Sequence, residues 1–141
     1  MLPKTASKYE TASDTESLYY AGVQCVKAGI ENWIPQCVGQ WDPYQEEADD
    51  ISLKTSIKAL IEYMDFNSLN TLNLRTQIII VPSYVFKVVD ILVTNFHQPQ
   101  STLLLLISAF VGGEKWKEIY DYALSHDFRF LSYGDSSVLI R

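Results

Sequence analysis

Residues 84–111 read YVFKVVDILVTNFHQPQSTLLLLISAFV, which runs from a β-branched segment through a short polar segment into a leucine-rich one. After Lys87, the segment Phe86–Val93 is apolar on both faces except at Asp90, which predicts a buried strand. Pro99 cannot continue a central strand, so the strand must end before it. Ser101 is well placed to cap the run 102–111, which predicts a helix buried on most sides.

Two further helices are predicted on the N-terminal side of this stretch. The first begins at Asp14 and ends before Gly29, and its apolar face comprises Leu18, Gly22, Cys25 and Val26. The second follows an acidic run, and its apolar residues step by three and four: Leu53, Ile57, Leu60, Ile61 and Met64. The loop between the helices is expected to be held to the protein by Trp33, Ile34 and Trp41.

Short strands and one more helix complete the prediction. The β-branched run Gln77–Val81 predicts a buried strand that ends at Pro82. Gly112 and Gly113 should stop the leucine-rich helix. The helix after them has one apolar face, comprising Trp116, Ile119, Tyr120, Ala123 and Leu124. The chain then ends in FRFLSYGDSSVLIR, where Gly-Asp between two apolar runs predicts a β-hairpin.

The expected fold is α/β, of the mixed α+β type, with short buried strands flanked by four helices and a C-terminal hairpin. Residues 1–13 are small and polar and are expected to be a flexible leader, and residues 14–141 a single domain. The length of 141 residues, of which 48% are hydrophobic, suits one domain with a modest core.

Composition restricts the possible functions. The net charge is −6, and residues 1–75 carry eleven acidic against six basic side chains, so no basic face for nucleic acid is evident. Cys25 and Cys37 lie twelve residues apart without a histidine at zinc-ligand spacing, and are expected to be buried thiols. The apolar run Leu103–Val111 is too short to span a bilayer. A cytoplasmic protein without a metal or a membrane partner is expected.

The stretch quoted above resembles the S-adenosylmethionine:tRNA ribosyltransferase-isomerase family of queuosine biosynthesis. The family pattern runs aromatic-x-Phe-Lys/Arg-Val-Val-Asp, then Thr-Asn-Phe-His-Leu/Gln-Pro-Lys-Ser-Thr-Leu-Leu, and continues in this chain through Tyr120 and residues 128–130 to Ser-Tyr-Gly-Asp at 132–135. The resemblance covers about the last 60 residues closely. It implies a fragment of a larger two-domain enzyme, whose N-terminal part, with a small β-barrel domain, is absent from this chain.

The resemblance also implies a reaction. The family transfers the ribosyl unit of S-adenosylmethionine to 7-aminomethyl-7-deazaguanine in tRNA and isomerises it to give epoxyqueuosine, with adenine and methionine leaving. The sulfonium acidifies the neighbouring 5′ protons, so the reaction needs a general base. S-adenosylmethionine is the co-substrate, and no bound cofactor or metal is implied. The implied partners are the tRNA, S-adenosylmethionine and the missing N-terminal part of the enzyme.

His97 is the expected general base, because its ordinary pKa lies near neutrality. The expected substrate-binding residues are Asn95, Phe96, Gln100, Ser101, Thr102, Tyr133 and Asp135. Each also has a structural interpretation: turns favour asparagine and aspartate, helix starts favour serine, and phenylalanine is usually buried. Asp90 is expected to pair with an arginine of the missing part or with loop amides.

A second function class remains open. Gln100 stands where the family has a lysine, and Ser13 stands where the family has an arginine three residues before a Glu-Ser pair. Both differences remove positive charge from places where RNA or the methionine carboxylate would bind. The alternative is therefore a non-catalytic interaction or scaffold domain derived from the enzyme.

Overall fold

The computed structural model describes residues 12–45, 50–98, 100–101, 103–131 and 133–141. The expectations for the leader residues 1–11, part of the acidic run, Pro99 and Thr102 lie outside these ranges. The described residues have a mixed α+β fold with four helices and one two-stranded antiparallel sheet, which confirms the predicted class. The chain forms two compact units, Met1–Ile79 and Ile80–Arg141. One domain over residues 14–141 stays a prediction.

The first unit is built on helices α1, Ala12–Ala28, and α2, Leu53–Phe66. Gly29 ends α1 as predicted: its φ of 82° is left-handed, and its N–H donates to the Cys25 carbonyl at 3.0 Å. Ser52 caps α2, because its Oγ accepts the Thr55 N–H at 3.1 Å.

The two helices pack closely through small residues. A Cβ on Gly22 would collide with Ser56, and the Ser56 hydroxyl donates to the Tyr19 carbonyl at 2.7 Å. The buried face of α2 is therefore Ser56, Ala59 and Leu60, and the predicted face is wrong in part because Ile61 is exposed. Likewise Gly22 and Cys25 of α1 are buried, whereas its two larger apolar residues are not: Leu18 and Val26 are exposed.

The segment between the helices is held differently from the prediction. Trp33 is buried with its ring edge-on to Tyr63, at 4.8 Å between centroids, but Ile34 and Trp41 are exposed. Further along the same segment Val38 is buried, and it forms a parallel bridge with Thr76. A short 3₁₀ helix, Asp42–Tyr44, follows.

The predicted strand Gln77–Val81 is wrong. Its backbone is bonded to the earlier segment at only a few points: the Gln77 N–H donates to the Val38 carbonyl at 2.9 Å and the Ile79 N–H to the Gln40 carbonyl at 3.3 Å. Ile78 is buried as expected. A ladder cannot extend here, because the partner segment turns at Gly39, whose N–H donates to the Asp42 carboxylate.

The second unit contains the sheet and two helices. Strand β1, Ile91–Asn95, pairs antiparallel with β2, Ser136–Ile140. Helix α3 spans Leu103–Val111 and helix α4 spans Lys115–Ser125. Gly112 and Gly113 separate the helices as predicted, with φ values of 77° and 55°. The predicted strand Phe86–Val93 is therefore right only in its last three residues.

The region before β1 is irregular but well anchored. The Phe86 ring packs edge-on against Tyr84 at 4.9 Å and Phe110 at 5.0 Å. Asp90 is exposed rather than buried, and its carboxylate lies 3.6 Å from the Arg141 guanidinium. Within the described residues Asp90 is therefore paired with Arg141, and its pairing with an arginine outside this chain stays a prediction.

The predicted C-terminal hairpin is wrong, because β2 pairs with β1 and not with the run that precedes it. Residues 128–131 instead form a closed loop with Gly134 and Asp135. The Asp135 N–H donates to the Arg129 carbonyl at 2.8 Å, and the Arg129 N–H donates to the Asp135 carboxylate at 2.7 Å. A Cβ on Gly134 would collide with the Arg129 carbonyl, so the loop needs glycine there.

Helix α3 is less buried than its composition predicts. Ile107 and Phe110 are buried, whereas Leu103 and Leu105 are 47% and 38% exposed. The expectation of a helix buried on most sides is therefore wrong for this chain. One face of α3 supports the second unit, and the other carries leucine side chains at the surface.

This difference predicts opposite outcomes for two aspartate substitutions. Ile107→Asp should abolish the cooperative thermal unfolding of the second unit, because an unpaired buried carboxylate costs several kcal/mol against a total of about 5–15 kcal/mol. Leu105→Asp should retain the transition, since its carboxylate can reach water. Circular dichroism melts of the two variants measure this. Equal loss of the transition in both would mean that α3 is buried all round.

Candidate functional site

The predicted site begins where β1 ends. Phe96, the first residue after β1, is buried, and its ring packs against Tyr120, Phe128 and Phe130 at centroid distances of 5.4–5.6 Å. Its N–H donates to the Asp135 carbonyl at 3.3 Å, and its carbonyl accepts the Leu131 N–H at 2.8 Å. Phe96 therefore joins the segment after β1 to the loop before β2.

His97 follows directly and is held at two points. Its Nε2 lies 3.1 Å from the Thr94 hydroxyl oxygen, and its backbone N–H donates to the Tyr120 hydroxyl at 3.2 Å. The residue is half-buried, and burial lowers the pKa of the imidazole below its ordinary value of 6.5. Burial also raises the pKa of Tyr120, which the bond from His97 partly offsets. Near neutral pH both groups are therefore uncharged.

The depressed pKa of His97 predicts how stability changes with pH. Protons bind this group more weakly in the folded than in the unfolded chain, so its contribution is complete above about pH 6.5 and falls as the pH drops towards the folded-state value. His97→Gln should therefore reduce the loss of melting temperature between about pH 7 and pH 5. The matched control is His126→Gln, at an exposed histidine. An unchanged pH dependence of the melting temperature in His97→Gln would contradict the claim that burial of His97 lowers its pKa.

Asn95 and Ser101 make local bonds on either side of this histidine. The Asn95 side-chain oxygen accepts the Ser136 hydroxyl at 2.8 Å across the sheet, which leaves its amide nitrogen as the group it can offer to a ligand. The Ser101 hydroxyl accepts the Leu103 N–H at 3.2 Å, so this residue caps α3 as predicted. Between them Gln100 is exposed, with a left-handed φ of 76°.

Tyr133 and Asp135 differ in what they can offer. The Tyr133 side chain is 97% exposed. The Asp135 carboxylate accepts both the backbone N–H and the guanidinium of Arg129, at 2.7 and 3.4 Å. These two bonds hold the pKa of Asp135 below its ordinary value. Its hydrogen bonds therefore close the loop, whereas Tyr133 presents a ring and a hydroxyl to solvent.

Two residues next to the predicted base were missed by sequence reasoning. Thr94 lies within the family pattern, three residues before His97, and this spacing alone could have suggested a contact. Tyr120 also matches the pattern, but it lies 23 residues away on α4, and only the fold reveals its bond to the His97 backbone. By contrast, the expectation for Thr102 lies outside the described residues.

In the described part of the chain, no three histidine, cysteine or acidic side chains lie together as a metal site. Cys25 is buried as expected, but Cys37 is exposed, and both are free thiols. No helix in the described ranges is long and apolar enough to cross a membrane.

A cavity of about 250 Å³ lies in the first unit, beside the start of α1. Its lining combines apolar and polar side chains: Asp14, Thr15, Ser17, Leu18, Leu72, Leu74, Arg75 and Thr76. The hydroxyls of Ser17 and Thr76 are hydrogen-bonded to each other at 2.5 Å, so they are already occupied. None of the predicted site residues lines this cavity.

Comparison with known proteins identifies the family. The model of the family described as queuosine biosynthesis protein matches residues 52–139, which is more than half of the chain and includes the whole segment from Thr94 to Ser101. The chain belongs to the queuosine biosynthesis protein family. The resemblance inferred from the sequence is therefore confirmed.

Relatives within the family carry one enzyme name. A Cereibacter sphaeroides protein named S-adenosylmethionine:tRNA ribosyltransferase-isomerase is 58% identical over 66 residues, 47% of this chain and 19% of the relative. A Vesicomyosocius okutanii protein of the same name is 45% identical over 85 residues, 60% of this chain and 25% of the relative. This chain thus spans a fifth to a quarter of the length of these relatives.

One solved structure is similar to part of this chain. The S-adenosylmethionine tRNA ribosyltransferase from Thermotoga maritima is 33% identical, with a TM-score of 0.47, over 62% of this chain and 39% of that one.

Proposed function

We propose that this chain is a part of an S-adenosylmethionine:tRNA ribosyltransferase-isomerase and carries the general base of that enzyme. The complete enzyme would transfer the ribosyl unit of S-adenosylmethionine to 7-aminomethyl-7-deazaguanine in tRNA and isomerise it to epoxyqueuosine. The family match over the segment from Thr94 to Ser101 supports this assignment. The name shared by the relatives supports the reaction and the co-substrate. A tRNA substrate also favours a cytoplasmic location.

The observation that carries the proposal is the half-buried imidazole of His97 just after β1, held by its contacts with Thr94 and Tyr120. A general base must be unprotonated at the working pH, and burial lowers the pKa of His97 in that direction. In the proposed step the imidazole takes a proton from the carbon next to the sulfonium. The electron pair of the broken C–H bond stays on that carbon, where the positive sulfur stabilises it.

The substrate-binding roles divide by exposure. Gln100 and Tyr133 are exposed and would contact substrate directly, and Asn95 would donate through its amide nitrogen. Phe96, Ser101 and Asp135 would act by holding the segment in place, since each is already committed to packing, capping or loop closure. Thr102 remains a candidate from the sequence pattern alone.

The proposed enzyme also needs a polypeptide partner. On one face of the sheet, Ile91, Val93, Val138 and Ile140 are 56–74% exposed, and they form two cross-strand pairs. A contiguous apolar face of this kind is typical of a surface that another polypeptide covers. We propose that the part of the relatives that this chain does not span covers it. That part would also supply positive charge for tRNA, because this chain has a net charge of −6.

The proposal predicts the kinetics of a chimera in which residues 52–139 replace the matching segment of the Vesicomyosocius okutanii relative. His97→Ala in this chimera should lower kcat/KM by about 10²-fold or more, equivalent to about 2.7 kcal/mol of transition-state stabilisation. Asn95→Ala should have a comparable effect through lost substrate contact. Both variants should melt near the temperature of the parent chimera.

His126→Ala is the matched control for the chimera, since this exposed histidine follows the last residue of α4 and stacks on Tyr122. It should leave kcat/KM within about twofold. Activity lost by His97→Ala only in proportion to lost stability would refute the base assignment and leave a structural role.

A non-catalytic scaffold is the second candidate, and the acidic charge together with Gln100 favours it.

Ligand binding to the isolated chain tests whether the S-adenosylmethionine site lies within this chain. If most of the site belongs to the part of the relatives that this chain does not span, titration calorimetry should detect no S-adenosylmethionine binding tighter than a dissociation constant of about 10 μM, which corresponds to about −7 kcal/mol. Tighter binding would show that the chain carries the complete co-substrate site.

A further inference from the structure

The position of Thr94 next to His97 is fixed by the sheet. Thr94 is the fourth residue of β1 and lies opposite Ser137 in the antiparallel register. The Ser137 hydroxyl also donates to the Thr94 carbonyl at 3.2 Å. These contacts fix the Thr94 backbone, from which the hydroxyl reaches the imidazole.

A second contact of the Thr94 hydroxyl favours one direction for its hydrogen bond with His97. Thr94 Oγ1 lies 3.4 Å from the Asn95 carbonyl oxygen, to which only the hydroxyl can donate, and in that orientation its lone pairs face His97 Nε2. The 3.1 Å between Oγ1 and Nε2 lies in the usual range for an N–H donating to oxygen. In that orientation Nε2 donates to Oγ1 and is the protonated nitrogen of the neutral ring, and Nδ1 has the lone pair.

The histidine backbone is fixed independently. Its N–H donates to the Tyr120 hydroxyl on α4, which ties the residue to the aromatic cluster around Phe96. Burial raises the pKa of the Tyr120 hydroxyl, so Tyr120 stays protonated over the pH range in which the imidazole titrates. With the backbone fixed at one point and Nε2 at another, the ring has a defined orientation.

We propose that Thr94 is a positioning residue that holds His97 as the Nε2-protonated tautomer and leaves Nδ1 as the proton acceptor. The catalytic meaning of this assignment rests on the proposed function, whereas the tautomer itself does not. When Nδ1 takes the proton from the carbon beside the sulfonium, the ring becomes an imidazolium. The Nε2–H bond to Thr94 then becomes charge-assisted and therefore stronger.

The tautomer can be read directly by nitrogen NMR on the intact 141-residue chain. At about pH 8 the ring is neutral, and protonated and unprotonated ring nitrogens have well-separated shifts. We expect Nε2 to be protonated in the unsubstituted chain. Thr94→Val should shift the ring towards a mixture of tautomers, and Thr94→Ser should restore the Nε2-protonated form. Ser125→Ala is the matched control, because the hydroxyl that it removes contacts the other histidine, His126, at 3.0 Å.

The unsubstituted chain decides the question even if Thr94→Val fails to fold. Protonation at Nδ1 in that chain would overturn the proposal, and so would an unchanged tautomer in a folded Thr94→Val variant. In the chimera, Thr94→Val should lower kcat by about tenfold with little change in KM, and Thr94→Ser should recover most of it. The expected tautomer together with unchanged kcat would uphold Thr94 as the residue that sets the ring and contradict its role in the proposed proton transfer, whereas His97→Ala tests the base itself.

Discussion

Burial of the Phe96 ring is the interaction on which the second unit depends. Three aromatic rings from α4 and the loop before β2 surround it, and its backbone bonds both flanks of that loop. Aromatic pairs of this geometry contribute about 0.5–1.5 kcal/mol each beyond the area they bury. Asn95 and His97 are the immediate neighbours of Phe96. Burial of the Phe96 ring therefore also fixes the backbone of the predicted base, His97, and of the predicted substrate-binding residue Asn95.

Local signals predicted the helices well. Gly29 ends α1, Ser101 caps α3 and Gly112–Gly113 separates α3 from α4, because capping and left-handed backbone depend on residues within one turn. Which helix face is buried was less predictable. In α1 and α2 the deciding factor was the collision that any side chain on Gly22 would cause with Ser56, a contact between distant parts of the sequence.

Strand pairing and side-chain partners depend on such distant contacts throughout. The run at residues 128–131 has the composition of a strand, yet the Arg129–Asp135 bonds close it into a loop and leave β2 to pair with β1. A continuous pattern of the sequence selected Asn95, His97 and Gln100 as candidate site residues, which stays a prediction. Tyr120 could not be assigned a role in that way, since its contact with His97 depends on how α4 packs.

The sheet has only two strands in the described part of the chain, so each strand has one edge whose amide and carbonyl groups the other strand does not use. Such edges, flanked by exposed isoleucine and valine, act as templates for intermolecular pairing when protein is concentrated or partly unfolded. Recovery of the isolated chain after heating would then be a competition between refolding and aggregation. Its apparent stability would be kinetic, with a half-life that shortens as concentration rises.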